Sequence, residues 1–285
     1  MSHPVTLFDG ASGTTLWSIA ERNGVPKVPV WRYNLEHPEF VKEMSSAYIK
    51  AGSKIILANT FGANRLSVER ASQMDPDEVV RAGVRLALEC AAGTDVKVAL
   101  NCGPLTELME PYGDLEEDDV RDIYHRMFVA GVEAGAQAIV LETFIDLAML
   151  RVATEDAVTF GVPVFCSLSF EKSGKTIMGN SVQDAVDQLV PLGVEAVGLN
   201  CSLGPVQALP IIEAFHKATD AHLFFKPNAG MPILKTNGES IAPVGPEQFA
   251  EDVSPALSYV SYIGGCCGTD YTYVEKLKEK LEQLA

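Results

Sequence analysis

The feature that most constrains this chain is a rhythm. Eight short, nearly unbroken apolar runs recur along its 285 residues, each followed by a turn and then by a segment with helical periodicity. The runs are Val5–Phe8, Lys54–Ala58, Val96–Leu100, Ala138–Leu141, Pro163–Ser169, Ala196–Leu199, His222–Phe225 and Tyr259–Ile263. Runs without polar alternation predict strands buried on both faces, as in a parallel sheet. The intervening segments read as helices with ordinary start and stop signals, such as Pro38 at a first turn and Gly52 after Ala51. Eight β-α units in this length predict an α/β fold, a single (β/α)8 TIM barrel occupying residues 1–285 as one domain. A doubly wound open sheet is the alternative, but no Gly-x-Gly-x-x-Gly turn follows the first run.

In such barrels the reacting groups stand at the C-terminal ends of the strands. Here the apolar runs lead into Asp9, Asn59, Cys102, Glu142, Cys201, Asn228 and the pair Cys266-Cys267. The last pair lies in Gly264-Gly265-Cys266-Cys267-Gly268, whose glycines are expected to let the backbone turn tightly. Adjacent cysteines can form a strained vicinal disulfide, act as unrelated thiols, or hold one soft metal. The start of the chain shows no signal peptide, so reduced thiols in a cytoplasm are expected, and no apolar run approaches a membrane span. Cys201 ends the sixth run and the pair ends the eighth, so their side chains can meet around one ion. Three thiolates favour Zn2+ and leave a fourth coordination place open. A metal held this way suits binding an incoming thiol and presenting it as a thiolate nucleophile. Cys90, Cys166 and Cys102 are expected to pack, although Cys102 also ends a strand.

Asp9 and Glu142 fit capture of a substrate ammonium, and the turn from Gly10 to Thr14 offers N–H groups and hydroxyls to a carboxylate. The implied substrate is an α-amino acid with its side chain directed at the metal. Trp31, Tyr33 and Tyr112 are candidates for the methyl-donor side, as faces for a cation. A net charge of −16 disfavours nucleic acid and anionic membranes as partners.

The segments Asp9-Gly10-Ala11, Asn59-Thr60-Phe61-Gly62, Glu142-Thr143-Phe144, Gly198-Leu199-Asn200-Cys201-Ser202, Lys226-Pro227-Asn228-Ala229-Gly230 and Gly264-Gly265-Cys266-Cys267-Gly268-Thr269 together resemble the homocysteine S-methyltransferase family, from Leu7 to Thr269. Within the family they are nearer to the homocysteine-binding domain of cobalamin-dependent methionine synthase than to the betaine–homocysteine enzyme. The resemblance implies that Cys201, Cys266 and Cys267 hold zinc, that homocysteine sulfur takes the open place, and that the product is methionine. It implies that Asp9 and Glu142 bind the amino acid, and that Asn228 fills the fourth place when substrate is absent. Asn101-Cys102-Gly103-Pro104 departs from the glycine-rich segment of synthase-like members and leaves Cys102 unexplained. The chain ends at Ala285, which leads to an expected methyl source in a small donor or a separate corrinoid protein. Two other readings stand beside this one: a component of a demethylation system that exchanges methyl groups with a corrinoid protein, and a non-catalytic domain with a structural zinc.

Overall fold

The computed structural model describes residues 4–230, 233–234 and 240–284, with no side-chain description from 231 to 241; Met1–His3 and Ala285 of the expected domain lie outside the described residues. Eight parallel strands form one sheet: β1 (Thr6–Leu7), β2 (Ile55–Leu57), β3 (Lys97–Cys102), β4 (Ala138–Phe144), β5 (Val164–Leu168), β6 (Ala196–Asn200), β7 (Leu223–Lys226) and, last in sequence, β10 (Tyr262–Ile263). The order around the sheet is β1-β10-β7-β6-β5-β4-β3-β2. Lys54 N–H donates to the Leu7 carbonyl at 2.7 Å and Phe8 pairs with Ile55, which joins β1 to β2 and closes the ring. The fold is therefore the expected (β/α)8 barrel. Two further short strands, β8 (Ile233–Leu234) and β9 (Ser240–Ile241), form an antiparallel hairpin outside it.

The barrel interior is filled by Phe8, Leu57, Ala99, Val140, Phe165, Ala196 and Phe224. Phe8 is the keystone: its ring lies 5.3 Å from Phe165 and 4.9 Å from Phe224, both edge-on. The opposite faces of the strands pack against the helices in a second, larger apolar layer. Most of the covering helices follow their sequence signals. One such helix, α3 (Pro38–Ala51), has Pro at its first turn and buries Phe40, Met44 and Tyr48 before Gly52 stops it at φ 112°.

One expectation is corrected. The strand expected over Tyr259–Ile263 is only Tyr262–Ile263, because the residues before it, Ser254–Ser258, wind as a 3₁₀ turn. Between α1 (Ser12–Arg22) and α3 the chain forms a 3₁₀ turn, Val30–Arg32, and the short helix α2 (Tyr33–Glu36). An additional helix, α4 (Arg65–Ala71), follows β2; it buries Val68 alone, so it carries no apolar stripe to reveal it.

Candidate active site

Above the apolar filling, the strand ends supply a layer of buried polar groups. Asp9, just past β1, accepts from Leu57 N–H at 2.7 Å through Oδ2 and from Lys226 Nζ at 2.9 Å through Oδ1. Lys226, the last residue of β7, has a side chain 2% exposed, and its Nζ is also 3.8 Å from Glu142 Oε2 on β4. Asn101 Nδ2 donates to Glu142 Oε1 at 3.0 Å, and Asn200 Nδ2 lies 3.5 Å from Oε2. Two carboxylates and one ammonium are thus buried together, an arrangement stable only because each is paired or hydrogen-bonded. Burial pushes Glu142 above the ordinary carboxyl value; the Lys226 charge opposes that rise and the Asp9 charge reinforces it. Burial works against the Lys226 ammonium, but the charges of Asp9 and Glu142 outweigh it and hold Lys226 above the usual lysine value.

Asn200 links this layer to the sulfur cluster. Its Oδ1 accepts from Thr143 N–H and Ser167 hydroxyl, both at 2.7 Å, and its Nδ2 is 3.7 Å from Cys266 Sγ. The cysteines Cys201, Cys266 and Cys267 come together with their sulfurs all within 4.8 Å, Cys201 and Cys267 at 3.7 Å, and each residue is half-buried. Backbone hydrogen bonds fix them to the end of β7: Cys201 N–H to the Lys226 carbonyl, Cys266 N–H to the Pro227 carbonyl, and Ala229 N–H to the Cys267 carbonyl, at 2.9 to 3.0 Å. Thr143, Cys201 and Ser202 adopt φ of 67°, 60° and 56°. Non-glycine residues in this region are uncommon, and such strain concentrates where function over-determines the backbone.

The donor chemistry fits a soft divalent cation. Hydrogen bonding among the three sulfurs holds Cys201 down at about 3 and pushes Cys266 and Cys267 up, Cys267 to about 12. A dication favours the ionised form of all three. Asn228 also bonds the Cys201 sulfur, and its buried Oδ1 has no partner among the described residues. Because that oxygen stands unpaired beside the thiols, the site is suited to receive an electrophile.

The glycines of the cysteine stretch play a different part from the expected one. Gly264 and Gly265 have ordinary φ; a Cβ at Gly264 would sit 2.6 Å from the Asp9 carbonyl oxygen, and one at Gly265 2.3 Å from Thr269 Oγ1. Gly264 is small so that the end of β10 can pass Phe8 and Asp9, Gly265 so that Thr269 can fold back onto it, and only Gly268 of the three, at φ 84°, uses the left-handed freedom of glycine. Gly10 is crowded by the Tyr48 ring, 2.9 Å from where a Cβ would be, and Thr14 Oγ1 accepts from Gly268 N–H at 3.4 Å. The Gly10–Thr14 segment runs into the first turn of α1 (Ser12–Arg22), whose leading N–H groups have no acceptor within the helix.

The three aromatic candidates differ in exposure. Trp31 is buried against the loop after β2, beside Gly62, and Tyr112 is 72% exposed on the loop after β3. Tyr33 is wholly buried, its ring against His37 and Phe40, and its hydroxyl donates to the Pro26 carbonyl. Cys102 packs in the core, where burial pushes its thiol well up, and Cys166 is likewise buried, beside Thr154. Sequence reasoning passed over Lys226, Asn200 and Asn101. A lysine closing the otherwise apolar Leu223-Phe224-Phe225 run was the available signal, because a charge on a doubly buried strand requires a partner.

A family model described as homocysteine S-methyltransferase matches residues 6–281. The methionine synthases of Mycobacterium leprae (strain TN) and Mycobacterium tuberculosis (strain ATCC 25618 / H37Rv) are each 28% identical over 298 residues, a match covering 97% of this chain and 24% of theirs. The chain therefore spans about a quarter of the length of these curated relatives. Among solved structures, the homocysteine methyltransferase MmuM from Escherichia coli in its metallated form superposes with a TM-score of 0.80 at 20% identity, covering 98% of this chain and 96% of that one. Its apo form gives a TM-score of 0.74 at 20% identity, with 98% and 96% covered. At these identities the structural likeness is one of fold.

Proposed function

The chain belongs to the homocysteine S-methyltransferase family, and on that premise we propose that it is a zinc-dependent enzyme that methylates the thiol of homocysteine to methionine. The observation carrying this reading is the sulfur trio at the C-terminal mouth of the barrel, one amide away from a buried carboxylate. Cys201, Cys266 and Cys267 would hold the metal, and three protein ligands are the pattern of catalytic rather than closed structural zinc. When bound, zinc supplies Lewis acidity that lowers the pKa of an incoming thiol.

The chain's own residues do the rest. The Glu142 side of the polar layer receives the substrate ammonium, and the N-terminal turn of α1 receives the carboxylate. Two contacts at opposite ends of the amino acid leave its sulfur one reachable position, beside the cysteines. Asn228 stands next to Cys201 and keeps that place polar until substrate arrives. The sulfur then attacks the donor methyl carbon in line: a sulfur–carbon bond forms, and the departing group keeps the electrons of the broken methyl bond. The half-buried setting limits competing water.

The methyl donor on this reading is a small molecule or a separate corrinoid protein, with Trp31 and Tyr112 on its side of the mouth. The net charge of −16 argues against nucleic acid or an anionic membrane as partner; among the described residues, no helix is long and apolar enough to cross a membrane. A cytoplasmic setting suits three adjacent reduced thiols.

The test is a screen of methyl donors with homocysteine as acceptor, read as methionine, alongside metal analysis of Cys266→Ser. The expected outcome is methionine from one donor class, with both zinc and turnover lost in the variant. Full zinc and full turnover in Cys266→Ser would overturn the reading.

A further inference from the structure

Four carboxylate oxygens face the polar layer, and they are not equivalent. Asp9 Oδ1 has Lys226 Nζ at 2.9 Å, Asp9 Oδ2 has Leu57 N–H at 2.7 Å, and Glu142 Oε1 has Asn101 Nδ2 at 3.0 Å. Among the described residues, Glu142 Oε2 has only Asn200 at 3.5 Å and Lys226 at 3.8 Å. Asp9 is 1% exposed, whereas Glu142 keeps 8% of its side chain open. The charges add up in the same direction. Lys226 cancels Asp9, which leaves one unbalanced negative charge, on the carboxylate with the unfilled oxygen.

We infer that Lys226 is a positioning residue that reserves Asp9 for the protein and leaves Glu142 as the single acceptor of the substrate ammonium. This rests on the amino-acid thiol reading above and departs from the expectation that both acids hold the substrate. Without the Lys226–Asp9 pair, the two carboxylates would compete for one ammonium. With it, an incoming monocation makes the layer neutral. The site is thereby matched to a substrate with one cationic group, and a thiol acid lacking the amino group would leave Glu142 buried and uncompensated.

The arrangement makes an unusual prediction for paired substitutions. In Asp9→Asn alone, the Lys226 ammonium loses its partner and turns to Glu142, so substrate loses its site. Adding Lys226→Met removes the competitor and frees Glu142 again. If Asp9 itself held the ammonium, the double variant would remain defective.

The experiment is calorimetric titration of the zinc-loaded protein with homocysteine and with 4-sulfanylbutanoate, the same thiol acid without the amino group. The readout is the ratio of the two Kd values, which a merely structural role would not move. Wild type is expected to favour homocysteine by about 10- to 100-fold, the span of a charge-assisted hydrogen bond. Glu142→Gln and Asp9→Asn should each bring the ratio near one, and Asp9→Asn/Lys226→Met should restore it. Lys226→Gln in the Asp9→Asn background should restore it as well, and covers a double variant that does not fold with methionine. A Glu142→Gln protein that keeps the preference, or Lys226 substitutions that fail to restore it, would overturn the inference alone. A wild type that binds neither thiol would overturn the thiol reading and this inference with it.

Discussion

The close approach at Gly265 can be tested quantitatively. In Gly265→Ala the new Cβ would lie 2.3 Å from Thr269 Oγ1 and 2.7 Å from its Cβ and Cγ2. Ordinary contacts lie near 3.5 Å, so Thr269 must retreat by about 1 Å. It is poorly free to do so. Its hydroxyl donates to the Cys266 carbonyl at 2.7 Å and accepts from Ala11 N–H at 3.2 Å, and the residue is 1% exposed. Overpacking costs about 1–3 kcal/mol and a lost hydrogen bond about 1 kcal/mol more, which together come to about 2–4 kcal/mol. For a domain of this size that is a fall in Tm of roughly 3–7 °C by calorimetry. Because the retreat pulls on Cys266, cobalt or zinc affinity should weaken about tenfold, equivalent to about 1.4 kcal/mol. Thr269→Gly in the same background removes all three contacts and should return part of that affinity. A Gly265→Ala protein with wild-type Tm and metal affinity would refute the close-packing account of these glycines.

Two further outcomes follow from the same structure. Glu142 lies above its ordinary carboxyl value, so its ionised form is disfavoured in the fold; the stability it contributes is present below the unfolded pKa and lost as pH rises through the folded one. In metal-free, substrate-free protein, Glu142→Gln should therefore raise Tm at pH 7, with the gain vanishing as the pH falls below about 4; thermal melts across that range check it, and a neutral-pH Tm at or below wild type contradicts it. Gly13 lies in the first turn of α1, and a methyl group added there would meet no atom within 4 Å, so Gly13→Ala should add about 0.5 kcal/mol in denaturant unfolding; a loss of stability would contradict it.

The barrel was legible because its strands are buried on both faces and so carry continuous apolar runs, which few other folds require. The cysteines were legible because chemistry at strand ends follows directly from that topology. What escaped had no periodic signature. Helix α4 is held by its Asn64 cap, which accepts from Ser67 N–H at 3.0 Å, and not by an apolar face. Tyr33 reads in sequence like any aromatic near a helix start, and only packing shows which way its ring turns. Lys226 was visible as a residue but not as a role, since its meaning depends on Asp9, 217 positions away. Pairings across such separations are set by ring closure, which no local window contains.

That closure has a temporal side. Of the eight barrel strands β1 is made first, yet one of its two neighbours in the ring, β10, is the last of the eight: Phe8 N–H donates to the Ile263 carbonyl at 2.7 Å. The same two-residue strand delivers Cys266 and Cys267 to a Cys201 that has long since left the ribosome. Ring closure and assembly of the thiol cluster are thus one event in the life of the chain, and a nascent barrel seven strands long has neither.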